Sequence, residues 1–275
     1  MTKPAPLTLY RRKSDFNDIW VMEEDNARYL RFGDSWQGAQ WLNDAYSSEF
    51  SYPEYFHLAF VLRPAIRRVL VIGLGAAMLP KQLLRDYPHL RIDVVEIDPV
   101  VVRVARRYFG LRSDRRMRIR IGDARDYLLD PGTPRYDFIV VDAYAGDEIP
   151  RSLISREFIS SVRKCLTEIG LMAVNVLSAT RGPKTATFNT FSKAMVREFR
   201  ERYLFIVGLR EEPRLRGLRN FILMAGNQEQ RDGKEVIKLI RRSSLIREEY
   251  RRHARDHVEL GRNGRPRIER KSPRS

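Results

Sequence analysis

Cysteine occurs once, at Cys165, in a chain of 275 residues. That excludes an internal disulfide and any multi-cysteine metal cluster, and it fits a reducing compartment. Long apolar runs are missing too. The longest, residues 69–79, is interrupted by Gly73 and Gly75 and stops well short of the roughly 20 residues a membrane-spanning helix needs. Residues 1–7 hold two prolines and no apolar core of the kind a signal peptide carries, so a cytoplasmic protein with no membrane segment is expected. Acidic residues are in deficit, 35 against 51 Lys and Arg, for a formal net charge of +16. The excess is uneven: from Gln228 onward fifteen Lys and Arg face eight Asp and Glu, which supplies +7. Such a balance allows contact with phosphate-rich partners. Without interleaved aromatic residues to stack on bases, a solubilising surface is the favoured reading and nucleic acid the disfavoured partner. The 43% of residues that are hydrophobic suffice for one large folded domain with appendages.

Hydrophobic period divides the chain into three zones: an N-terminal β-hairpin domain with a gate helix (1–62), a Rossmann-like catalytic domain (63–227) and a basic, partly helical tail (228–275). In the first zone, 19–22 and 29–32 are short strand-like runs around the polar break 23–26, and a helix follows through 55–62. In the second, β-rich runs at 69–72, 92–95, 117–121, 138–141 and 171–176 alternate with segments whose apolar residues recur at three and four spacing. That alternation predicts an α/β fold, a parallel sheet with right-handed crossovers covered on both faces. Asp98 and Pro99 read as an N-cap and first helical residue, with Val100, Val101, Val104, Ala105 and Tyr108 on one face until Gly110. A helix over 188–200 and strands at 204–209 and 220–225 complete the sheet, and a charged helix is expected over 234–260.

The chemistry gathers at strand ends. Gly73, Leu74 and Gly75 form a strand-to-helix turn at which the backbone can approach a ligand closely. A two-glycine turn is weak evidence. It gains weight from Glu96, which ends the second strand and has the placement of a carboxylate that accepts hydrogen bonds from ribose hydroxyls. The third strand ends at Gly122 and Asp123, the fourth at Val141 and Asp142. Each acid taken singly serves equally well as a helix cap. Their recurrence on the carboxyl edge, where open α/β sheets bind ligands, points to one nucleoside-shaped crevice.

Residues 69–75, Glu96 to Pro99, Gly122 to Tyr127, Val141 with Asp142, and 149–158 together resemble the spermidine synthase family of polyamine aminopropyltransferases. Asp34 to Gln37 and Phe50 to Glu54 are similar to that family's small β-domain and gate segment. The resemblance implies a Rossmann-like S-adenosylmethionine-dependent transferase sheet with a small N-terminal β-hairpin domain. It implies decarboxylated S-adenosylmethionine or S-adenosylmethionine as co-substrate, no metal, a small amine-type nucleophile and a homodimer or homotetramer. Gln37, Glu96 and Asp123 would meet the cofactor's tail, ribose and adenine, with Gly73, Gly75, Asp98 and Ala124 in the same cradle. Asp142 would be the base, and Tyr52 and Tyr144 would orient the nucleophile. Three positions depart from the family pattern. Ala76 stands where an acidic residue grips the far end of a diamine, Pro53 follows the gate tyrosine, and Ala145 replaces a second acid for which Asp147 could substitute. An ammonium left unpaired there is costly to desolvate, so putrescine is disfavoured as acceptor. Two alternatives stay open: a methyltransferase using the same cradle, and a non-catalytic ligand- or nucleic-acid-binding protein on the same fold.

Overall fold

The computed structural model describes residues 5–146, 148–179, 185–199, 204–208, 217–226, 233–256, 259–260 and 266–267. Near the N-terminus the chain forms β1 (Leu7–Lys13), β2 (Asp18–Glu24), β3 (Ala27–Phe32) and β4 (Ser35–Trp41), paired in order as one antiparallel sheet. Period-two alternation buries Ile19 and Val21 while Trp20 and Met22 stay partly open. Asp25 and Asn26, with φ of 50° and 63°, make the tight turn between β2 and β3. The expected hairpin is thus the centre of a four-stranded meander; β1, rich in Arg and exposed, lacks the apolar alternation that would have revealed it.

Three short helical turns follow: α1 (Tyr52–Tyr55), a 3-10 turn at Phe56–Leu58, and α2 (Ala59–Leu62). The second sheet then alternates β5 (Arg68–Ile72), α3 (Met78–Asp86), β6 (Arg91–Glu96), α4 (Pro99–Tyr108), β7 (Met117–Ile121), α5 (Ala124–Leu129), β8 (Tyr136–Val141), α6 (Arg156–Lys164), β9 (Leu166–Ser178), α7 (Ala186–Phe199), β10 (Leu204–Gly208) and β11 (Arg219–Gly226). Strand order is β10-β11-β9-β8-β5-β6-β7. Val69 and Val71 enter one core with α3 and α4, whereas Leu70 and Ile72 enter the other with α5, α6 and α7. That two-sided burial explains why these strands read as unbroken apolar runs.

The expectation of a wholly parallel sheet is corrected at one strand. β5 to β9 pair in parallel, but β11 runs antiparallel to both β9 and β10. Residues 209–218 between β10 and β11 number ten, fewer than the dozen or so a parallel crossover needs. The expected helix over 234–260 is corrected too. It is α8 (Gly233–Arg242), then after a break α9 (Glu248–Arg251) and a 3-10 turn at Arg252–Asp256. Consecutive Ser243 and Ser244 interrupt it, with Ser243 Oγ accepting from Leu245 N at 3.1 Å. Val236, Ile240, Ile246, Tyr250 and Ala254 are buried in the same core as α3 and α4. Among the described residues no helix is long and apolar enough to cross a membrane.

Candidate active site

Parallel strands that share a direction end on one edge, so β5, β6, β7 and β8 deliver Gly73, Glu96, Gly122 and Asp142 to a common crevice. A cavity of about 210 Å³ lies there, lined by Gln37, Tyr52, Gly73, Gly75, Glu96, Asp123, Ala124, Asp142 and Tyr144. The N-terminal sheet closes it from above through Ser35, Trp36 and Gln37 of β4. Gln37 is fixed there, its Nε2 donating to Ser35 Oγ and to Gly146 O, each at 2.9 Å. Gly73 sits at φ +93°, and a Cβ added to it would meet Asp142 O at 2.2 Å. Glycine is therefore required where β5 turns past β8.

Glu96 is buried, and its two carboxylate oxygens accept from Leu74 N at 2.8 Å and Asp98 N at 2.9 Å. Burial, opposed by those backbone donors and reinforced by the Asp98 charge, pushes its carboxyl up to about 7. The Ile97 backbone N–H is a third donor, so of the roughly four acceptor positions of a carboxylate one is left. Ile97, 42% exposed, offers an apolar surface beside it on the cavity wall. Asp123 caps α5, accepting from Arg125 N at 2.8 Å, and pairs with the Arg125 guanidinium at 2.9 Å, whose hydrogen bond holds its carboxyl below the ordinary value. Glu96 and Asp123 thus line the same cavity, with the exposed Ile97 side chain between them in sequence.

Asp142 lines the same cavity. Burial raises its carboxyl to about 6, against hydrogen bonds from Asn175 and Tyr52 that favour ionisation. Asn175 Nδ2 donates to Asp142 Oδ1 at 3.0 Å, while the buried Asn175 Oδ1 has no partner. Tyr144 is committed to β9: its hydroxyl donates to Asn175 O at 2.9 Å and accepts from Leu177 N at 2.8 Å. It therefore braces Asn175 and the loop after β8. A small void of about 20 Å³ extends from Asp142 and Tyr52 past Gly38, Pro53 and Ala76. There Ala76 is buried against Gly38, where a Cβ would approach Ala76 Cβ to 2.8 Å.

Asp98 stands apart from this group. It does not line the cavity; Oδ1 caps α4 through Val100 N at 2.8 Å, and Oδ2 accepts from Ser14 Oγ at 2.5 Å and Asn17 Nδ2 at 3.4 Å. Asp147 lies outside the described residues. Asn175 and Asn220, both buried on the cavity wall, were not anticipated, being single amides inside apolar β9 and β11. A lone Asn in an otherwise hydrophobic strand was the available signal, since burial demands that it have a polar reason.

A family model for the spermine/spermidine synthase domain matches residues 49–209. A polyamine aminopropyltransferase of Vibrio vulnificus is 34% identical over 182 residues, 63% of this chain and 60% of that protein. Putrescine N-methyltransferase 3 of Nicotiana tabacum is 30% identical over 177 residues, 62% of this chain and 45% of that protein. The matched stretch thus spans less than two thirds of either relative. Among solved structures, a probable spermidine synthase from Corynebacterium glutamicum superposes with a TM-score of 0.69, covering 99% of each chain. At 20% identity that likeness establishes the fold, a Rossmann-like sheet with a separate N-terminal antiparallel sheet. A domain model that spans more than half of the sequence and takes in Gly73, Glu96, Asp123 and Asp142 decides the relationship: the chain belongs to the spermine/spermidine synthase family.

Proposed function

We propose that this protein is a transferase that moves an aminopropyl group from decarboxylated S-adenosylmethionine to a small amine-type nucleophile. One observation carries the reading: Asp142, the acid that Tyr52 and Asn175 hold ionisable, faces the same cavity as Glu96 and Asp123. When bound, the sulfonium co-substrate supplies both the electrophilic carbon and its leaving group, a neutral adenosyl thioether. Glu96 and Asp123 hold the nucleoside end, with Ile97 beneath the base. Gln37, anchored to Gly146, borders the tail. Asp142 attracts the protonated amine, accepts its proton, and aligns the nitrogen for attack; a carboxylate at about 6 is ionised at neutral pH and suited to that task. As the nitrogen–carbon bond forms, the carbon–sulfur bond breaks and its electron pair stays on sulfur.

The acceptor is a nucleophile other than putrescine. Ala76 and Ala145 provide no carboxylate for a second ammonium, and the void beside Ala76 is too small for a diamine chain. A second reading, methyl transfer through the same cradle, is carried by the name of the Nicotiana relative, a putrescine N-methyltransferase, although the closure beside Ala76 disfavours that relative's diamine here as well. A homodimer or homotetramer built partly through the N-terminal strands completes the proposal. Calorimetry with the two sulfonium compounds separates the readings. Tighter binding of the decarboxylated form is expected, and preference for the carboxylated form would favour methylation. Asp142→Asn should reduce turnover by about 10²–10⁴-fold with co-substrate affinity nearly unchanged; wild-type turnover in that variant would remove Asp142 from the mechanism.

A further inference from the structure

Four residues make a single helical turn in α1, and its N-cap residue Ser51 forms no side-chain cap bond. A turn this short has no stability of its own, so its pose must be imposed by tertiary contacts. Tyr52, at its start, lines the cavity with Asp142; its hydroxyl lies 3.5 Å from Gln37 O and also supplies a side-chain hydrogen bond that favours the ionised Asp142. Glu54 and Tyr55 do not line the cavity. They are gripped by the C-terminal segment instead. Glu54 Oε2 meets His253 Nε2 at 2.7 Å and accepts from Arg252 at 3.2 Å. The Tyr55 hydroxyl donates to Asp256 Oδ2 at 2.8 Å, and its ring stacks on His253 with centroids 3.9 Å apart.

The grip continues along the same path. Tyr250 packs on His57 of the next turn at 4.3 Å between centroids, accepts from Arg85 at 2.8 Å and donates to Asp86 at 3.1 Å. Arg247 then pairs with Asp86 at 3.2 Å. The His253 side chain is only 4% exposed and that of Glu54 14%. A hydrogen-bonded contact this enclosed has one preferred geometry, and losing the imidazole leaves the largely buried Glu54 carboxylate with Arg252 as its remaining partner in this segment. The C-terminal segment therefore fixes α1 from one side while α1 presents Tyr52 to the cavity on the other.

We propose that residues 247–256 form a strap that positions Tyr52 against Asp142, with His253, Glu54 and Asp256 as positioning residues. Its catalytic consequence rests on the reading of Asp142 as proton acceptor, but the placement of Tyr52 is measurable without it. The groups facing Asp142 are Tyr52 from α1, Tyr144 from its own loop and neutral Asn175 from β9. Loss of the Tyr52 hydrogen bond should therefore raise the midpoint at which Asp142 ionises.

Carboxyl-labelled aspartate in the full chain, assigned with Asp142→Asn, reports that midpoint by NMR titration. Tyr52→Phe should raise it by about half to one pH unit, the worth of one hydrogen bond. His253→Ala should raise it likewise, the double variant should match Tyr52→Phe alone, and His253→Gln, which keeps a side-chain donor for Glu54, should restore it. Tyr55→Phe, which removes only the hydroxyl to Asp256, gives a milder test should His253→Ala fail to fold. A wild-type far-UV circular dichroism spectrum and a cooperative urea transition mark each variant as folded. A wild-type midpoint in folded His253→Ala and Tyr55→Phe, or additive shifts in the double variant, would overturn the strap. The expected titrations in a protein whose Asp142→Asn variant still turns over would support the strap and overturn the base, so the two fail separately.

Discussion

That Glu96, Asp123 and Asp142 share one cavity is legible in the sequence because an acid at a strand's carboxyl end has few places to go once the strand is parallel. Asp98 shows the converse: the Asp-Pro pair marks it equally well as a cap, and capping is what its Oδ1 does. Asn175 was illegible. It lies 33 positions from Asp142, and only the parallel pairing of Val141 with Val174 brings it alongside. In the proposed function ribose hydroxyls would donate to the ionised form of Glu96; with its carboxyl raised to about 7, co-substrate affinity should climb as pH rises through 7 and level off above. Calorimetry across that range would show it, and Glu96→Gln should flatten the dependence and weaken binding by at least about tenfold, the loss of a charge-assisted hydrogen bond. Gly73→Ala places a methyl at 2.2 Å from a backbone oxygen, so β5 and β8 must separate. We expect a folded-state penalty of about 3 kcal/mol or more, read from denaturant unfolding, and lost co-substrate binding.

The central strands were legible as elements because alternate residues face two cores and both sets must be apolar. The direction of β11 was not, since a β-rich run carries no sign for parallel or antiparallel pairing. α8 was visible from its apolar spacing, but its destination was not: Val236 and Ile240 are fully buried in the core that α3 and α4 also enter. Ile240→Ala should therefore destabilise by about 2–5 kcal/mol in chemical unfolding, as for any large-to-small change in a packed core. A residue at 1% exposure or less has no solvent-side excuse. His57, wholly buried and pushed down to about 4 by desolvation, stays neutral in the fold. Its unfolded form takes a proton below about 6.5, so its contribution to stability is present above that pH and lost as pH falls towards 4. Comparing urea midpoints of wild type and His57→Phe across this window should show the wild type losing stability faster on acidification.

Charge organises the molecule's outer edge. Between Arg103 and Arg120 eight arginines stand against Asp114 alone, spread over the outside of α4, the connection to β7 and β7 itself, the last strand of the sheet. Arg118 and Arg120 are exposed there, which discourages another strand from pairing with that edge. Arg118→Val with Arg120→Val should promote further association through this edge, detected by light scattering as a rise in mass with concentration beyond that of the wild type. The amino-acid order was sufficient to set which residues end the central strands and which faces are apolar, because both follow from local period and from the short range of the backbone's own geometry. Their convergence was a property of the assembled sheet. Asn175 beside Asp142, Tyr52 held between a cavity and a C-terminal segment, and Asp98 turned away to Ser14 all join residues distant in the chain, and no local pattern encodes a contact whose partner is chosen by packing.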